Sequence, residues 1–144
     1  MKNNPSFASC LKKQEHIKIL FKDCSTAEAK YQKLIDLGRQ LPLFSDEYKT
    51  PENIVSGCQS VMYLHSHVDS SKNVYFSAYS EALISAGLAA LLIKAYDGES
   101  PEVILKCPPL FLDEIGLQGA LSPSRSNGLA SLFLKMKQKA LQFL

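Results

Sequence analysis

The spacing of apolar side chains changes twice along the chain, and each change marks a boundary between kinds of element. Across residues 7 to 21, Leu11, Ile17, Leu20 and Phe21 recur at helical intervals. Residues 26 to 40 repeat the pattern more clearly, with Ala27, Tyr31, Leu34 and Ile35 on one face, the stripe that an amphipathic helix buries. The preceding "CSTAE" supplies a start signal: Ser25 can accept from the backbone of Glu28, whose carboxylate can reach back in a capping box. "PLFSDEYKTPEN" then holds two prolines and several turn formers, which predicts a surface loop.

After that loop the period shortens to two. "QSVMYLHSHV" and "NVYFSAYS" are rich in β-branched and aromatic residues, with the turn signal "DSSKN" between them. They predict two antiparallel strands, and residues 53 to 56 predict a short third strand before Cys58. From Ser80 the pattern is helical again. Residues 81 to 96 are apolar nearly all round, which predicts a helix buried at the centre. Ser100 followed by Pro101 is a further helix start. "CPPLFLDEIGLQGALSPSRSNGL" is broken by prolines and glycines and reads as short helices with loops. A last helix carries Leu129, Leu132, Phe133, Met136, Ala140 and Phe143 on one stripe, with Lys135, Lys137 and Lys139 towards its end, where positive charge suits the helix dipole. Helices, a small antiparallel three-stranded sheet, then helices again make an α+β fold, and residues 1–144 are expected to form a single domain.

Composition narrows the function classes. Apolar residues make up 46% and charged residues 21%, the balance of an ordinary globule. Sixteen basic and 14 acidic side chains leave a net charge of +2, too even to argue for nucleic acid or an anionic membrane. No nucleotide-binding glycine motif occurs. The start, "MKNNPSFASCLKKQEH", has no apolar core of signal-peptide length, and "ALISAGLAALLI" is too short to span a bilayer. A cytoplasmic protein with reduced thiols is therefore expected. Its four cysteines, Cys10, Cys24, Cys58 and Cys107, lie far apart in sequence with no C-x-x-C, so disulfide stapling is not expected.

Cys58 stands out in "IVSGCQSVMYL". Gly57 permits backbone torsions closed to other residues, and Gln59 and Ser60 offer donors that can steady a thiolate or its product. No Lys, Arg or His lies within six residues on either side, so nothing local depresses the thiol pKa from about 8.5. Spacing alone leaves two readings open, a displayed thiol or a small apolar filler.

At this point the motifs resemble a known family. "LIDLGRQLP", "VSGCQS", the apolar helix around "ALISAGL" and "LSPSRSNGLA" occur in the order found in the SufE family, across essentially the whole chain. The resemblance implies an α+β domain related to the IscU scaffold. It also implies that Cys58 accepts sulfur as a persulfide from a SufS-type cysteine desulfurase, stimulating that enzyme, and passes it to a SufB-type scaffold in iron–sulfur cluster assembly. Pyridoxal phosphate belongs to the desulfurase; no cofactor or metal is expected in this chain, which would be a sulfur carrier rather than a stand-alone enzyme. The resemblance puts the segment of Ser124, Arg125 and Ser126 near the cysteine loop, where Arg125 would stabilise an anionic persulfide or clamp the loop. Otherwise it is a surface arginine at a capped helix start. A persulfide is easily reduced or oxidised, so a loop able to show Cys58 to a partner and withdraw it into an apolar pocket is expected.

Some positions depart from the family pattern: Val61 where glutamine is common, Tyr63 for tryptophan, Glu81 for aspartate, Ala86 for a basic residue and Ala120 for histidine. They bear on the partner surface, where Glu81 is a possible docking residue, although a carboxylate at a helix start also suits the dipole. Two rival readings remain. An iron–sulfur or zinc scaffold would use Cys24, Cys58 and Cys107, with His65 and His67 sharing one strand face. A thiol hydrolase would need a histidine brought to Cys58 by folding.

Overall fold

A computed structural model of the chain describes residues 6–58 and 60–144. Two helices open the chain, α1 (Ala8–Leu20) and α2 (Ala27–Arg39). The apolar stripe of α1 is shifted from the one expected: Cys10, Gln14 and Ile17 are buried with Phe21 just beyond, whereas Leu11 and Leu20 face solvent. α2 begins one residue later than its capping-box reading. Thr26, not Ser25, is the N-cap, and its hydroxyl accepts from the Ala29 N–H at 3.1 Å. The loop that follows contains two 3₁₀ turns, Asp46–Tyr48 and Pro51–Asn53.

The sheet has two strands among the described residues, not three. β1 (Met62–Val68) and β2 (Val74–Ser80) pair antiparallel from Met62 opposite Ser80 to Val68 opposite Val74. The expected strand at 53–56 is reduced to an isolated bridge between Ile54 and Tyr63, with the Val55 N–H donating to the Met62 carbonyl. Pro51 holds the preceding residues in a 3₁₀ turn, and Ser56–Gly57 turn away at once, so too little extended chain remains for a ladder. On the other side, Val74 bridges Glu99. Each outer edge of the pair is thus met by a single bridge, which blunts an otherwise open template.

Residues alternate across the sheet. Met62, Leu64, Val74, Phe76 and Ala78 face inward, while His65 stacks on Tyr48 and His67 on Tyr75 on the outer face. The inner face packs on α3 (Leu83–Tyr96), in which the residues from Ala86 to Leu92 are all buried, as its uniform apolar character predicts. α3 begins two residues later than expected, so Glu81 lies outside it, exposed and ahead of the N-cap Ala82. α2 crosses α3 at backbone distance: a Cβ on Gly87 would stand 2.2 Å from the Leu34 carbonyl oxygen.

Four further helices complete the chain: α4 (Pro101–Lys106), α5 (Phe111–Glu114), α6 (Leu117–Ala120) and α7 (Pro123–Leu141). Ser100 caps α4 as its sequence predicts, accepting from the Val103 N–H. α7 starts six residues before the first residue of its apolar stripe. Ser122 accepts from the Arg125 N–H and Pro123 takes the first helical position, so "SPSRSNG" is helix rather than loop. The core joins α1, α2, α3, the sheet and α7 in one cluster. Among the described residues no helix is long and apolar enough to cross a membrane.

Candidate functional site

Cys58 sits in the loop that the Ile54–Tyr63 bridge closes, and two features seat that loop against α7. Gly57 has φ +91°, a conformation that side-chain-bearing residues rarely adopt. A Cβ there would also stand 2.4 Å from Ser131 Oγ. One residue on, the Cys58 thiol points at the turn of α7 before Ser131 and donates weakly to the Gly128 carbonyl, with Sγ at 3.9 Å. A Cβ on Gly128 would lie 3.5 Å from Sγ. Gly57 is therefore a point of close approach between loop and helix, whereas Gly128 meets the thiol at an ordinary contact distance.

The thiol is half-buried in the wall of a cavity of about 370 Å³. Met62 from β1, Leu88 from α3, and Leu129 and Leu132 from α7 give it apolar walls, with Ile35 of α2. Ser60, Ser124, Arg125 and Ser85 add polar groups. Leu83 lines the cavity while remaining half exposed, and Val61 on the cysteine loop is exposed as well. The Arg125 guanidinium lies over the Tyr31 ring, 5.5 Å from its centroid, a cation–π arrangement. The Tyr31 hydroxyl donates to the Ala120 carbonyl, so α2, α6 and the first turn of α7 meet beside the cavity.

Burial raises the Cys58 pKa above the ordinary thiol value. The sequence reading left the pKa near reference because it saw no nearby charge; desolvation supplies the difference.

The structure brings Cys58, Ser60, Ser124 and Arg125 to one cavity. Gly57 shapes the loop without lining it, and Ser126 is half-buried on α7 outside the lining. Glu81 is exposed and also outside it, and Gln59 falls outside the described residues. Sequence reasoning passed over Gly128 and Ser131, which seat the thiol. Residue order gave no signal for Gly128, because the apolar stripe of the last helix begins after it, at Leu129, and the glycine was read with the breakers around it.

The residues of the scaffold reading are dispersed. Cys24 lies at a surface groove near Phe21 and Ile115, and Cys107 is buried. Gln14 Nε2 reaches both Cys107 Sγ at 3.8 Å and Cys10 Sγ at 3.7 Å, so two thiols distant in sequence share one amide. Among the described residues no three His, Cys, Asp or Glu side chains gather as a metal site. None of the described residues lining the cavity is a histidine; His65 and His67 lie on the far face of the sheet.

Comparison with known proteins bears on the same stretch of chain. A family model described as "SufE: Fe-S metabolism associated domain" matches residues 15–140. The chain is 40% identical over 130 residues to the SufE-like protein 1, chloroplastic/mitochondrial, of Arabidopsis thaliana, an alignment covering 90% of this chain and 35% of that protein. It is 36% identical over 114 residues to an uncharacterized SufE-like protein of Synechocystis, covering 79% of this chain and 71% of the other. The chain thus spans about a third of the Arabidopsis relative's length and most of the cyanobacterial one's. The solution structure of a hypothetical protein from Thermus thermophilus superposes with a TM-score of 0.73 at 26% identity, covering 90% of this chain and 94% of that one.

Proposed function

The chain belongs to the SufE family, and from that premise we propose that it carries sulfane sulfur on Cys58 between a cysteine desulfurase and an acceptor in iron–sulfur cluster assembly. The observation that carries this reading is the cavity: one half-buried thiol faces about 370 Å³ of space walled by both apolar and polar side chains, far more than a sulfhydryl needs. A filler cysteine would be packed on all sides, as Cys10 and Cys107 are.

The step is a thiol exchange. The Cys58 thiol gives its proton to solvent, and the thiolate attacks the outer sulfur of a persulfide R–S–SH on the donor. A bond forms from Sγ to that sulfur as the donor's sulfur–sulfur bond breaks. The electron pair of the broken bond leaves with the donor sulfur as R–S⁻, a free thiolate ready for another turnover. Cys58 then holds the cargo as a persulfide, an anion at neutral pH. Ser60, Ser124 and the Arg125 guanidinium are the groups on the cavity wall that would steady it, and Met62, Leu129 and Leu132 would shield it from reductants in water. Exposed Val61 and Leu83 and the carboxylate of Glu81 would meet the donor enzyme. The downstream acceptor is a scaffold of the SufB type.

Intact-mass analysis after mixing the protein with a cysteine desulfurase and L-cysteine tests this. Cys58 gains one sulfur atom, and alanine release by the desulfurase rises. Cys58→Ser abolishes both effects; stimulation that persists in the variant, or sulfur found on Cys10, Cys24 or Cys107, refutes the proposal.

A further inference from the structure

A glycine in the middle of a helix is a cost that something must offset, because glycine is the poorest helix former after proline. Gly128 lies well inside α7, and its backbone does not require positive φ. Alanine would satisfy the helix better. What Gly128 does have is Cys58: a Cβ there would stand 3.5 Å from Sγ, an ordinary contact distance for a thiol. The helix could therefore carry a methyl group without disturbing the reduced protein.

The outer sulfur of a persulfide changes that arithmetic. It would be held about 2.05 Å from Sγ, the length of a sulfur–sulfur bond. Turned into the space above Gly128, it would stand far inside van der Waals distance of any Cβ. The backbone just before Cys58 is held close to the helix, because Gly57 is seated on Ser131 one turn further along α7, at a distance that leaves no room for a Cβ. Gly128 also borders the cavity, between Arg125 on one side and Leu129 and Leu132 on the other.

We propose that Gly128 is a positioning residue for the cargo: the side chain it lacks is the space that the sulfane sulfur occupies on Cys58. This rests on the sulfur-carrier reading and adds to it the place where the sulfur is held. The reduced thiol tolerates either glycine or alanine at 128; the persulfide tolerates glycine.

Glutathione persulfide is the probe, since it loads Cys58 by the same exchange with glutathione thiolate leaving, and needs no partner protein. The Tm of each protein is measured reduced and loaded, and the lifetime of the added sulfur is followed by intact mass. Reduced Gly128→Ala is expected to melt no lower than the reduced wild type. Once loaded, the variant is expected to melt well below its reduced form and to lose its sulfur at least tenfold faster than the wild type. A purely structural role for Gly128 would lower the Tm of both forms alike. Equal lifetimes in variant and wild type, or a reduced variant that fails to fold, overturn the proposal. A second measurement needs no variant: the loaded wild type keeps the Tm of the reduced wild type, and a marked fall on loading would show that no space is prepared. If the wild type takes up no sulfur at all, the carrier reading itself fails and Gly128 falls with it.

Discussion

Burial lifts the pKa of Cys58, and the thiol donates weakly to the Gly128 carbonyl. Burial favours the thiol, whereas the nucleophile is the thiolate. In the isolated protein, alkylation of Cys58 by iodoacetamide is expected to rise with pH from 7 to 9 without levelling off, as the thiolate fraction does. A rate already level near pH 7 would mean that a positive group reaches the sulfur at rest. The sign for stability follows from the same shift. A raised folded pKa gives stability that is complete below the ordinary thiol value and is lost as pH climbs through the folded one. Binding a partner that draws Cys58 out of the cavity wall would return it towards a normal thiol, so reactivity and exposure are linked at this side chain.

Among the elements, the closest packing is between α2 and α3. Gly87 lets the α3 backbone touch the Leu34 carbonyl, and the atom in the way of a side chain is backbone, which cannot rotate aside. Gly87→Ala is therefore expected to cost about 1–3 kcal/mol, the range for overpacking a filled core, read as a lower urea midpoint with an unchanged slope. The contrast with Gly128 is physical: there the nearest atom lies at 3.5 Å and the helix gains from alanine; here it lies at 2.2 Å. Because α2 brings Ile35 to the cavity and Tyr31 under Arg125, separating α2 from α3 would also loosen the wall opposite Cys58.

Across the whole molecule, α1, the end of α3 and the edge of β2 are tied together by polar groups around residues 97–99. Glu99, nearly buried, accepts from Lys13 Nζ at 2.5 Å and Ser9 Oγ at 2.8 Å. Lys13 Nζ also donates to the Asp97 carbonyl, and the Phe76 N–H donates to Asp97 Oδ1 at 2.7 Å. Desolvation raises the Asp97 pKa, outweighing the Phe76 bond and the charges of Lys13 and His67, which lower it. A carboxylate with a raised folded pKa is favourable when protonated and loses stability as pH rises through that value. Asp97→Asn keeps an oxygen for the Phe76 N–H without the charge. It is expected to melt higher than the wild type at pH 7, with the difference shrinking as pH falls through the raised value towards the ordinary carboxylate range. A variant that melts lower at pH 7 would show that the Lys13 attraction outweighs burial.

Patterns repeated every turn or every second residue were legible from residue order. The uniformly apolar α3, the alternation in β1 and β2 and the Ser100–Pro101 start of α4 are local, and local chemistry settles them; the motifs around Cys58 and Arg125 pointed to a family by resemblance. Where the reading missed, the deciding partner was distant in the chain. The strand expected at 53–56 had the right side chains but no length left to pair. Gln14, a polar residue, is buried on α1 because Cys10, Cys107 and the Pro108 carbonyl surround it. Ser122 and Pro123 carried the same start signal as Ser100 and Pro101, yet the prolines and glycines around them masked a helix whose apolar stripe begins later. Above all, residue order named Cys58 but could not give it a raised pKa, a cavity or a glycine opposite its sulfur. Those depend on desolvation and on van der Waals distances between segments 70 residues apart, and such quantities exist only once the chain has folded.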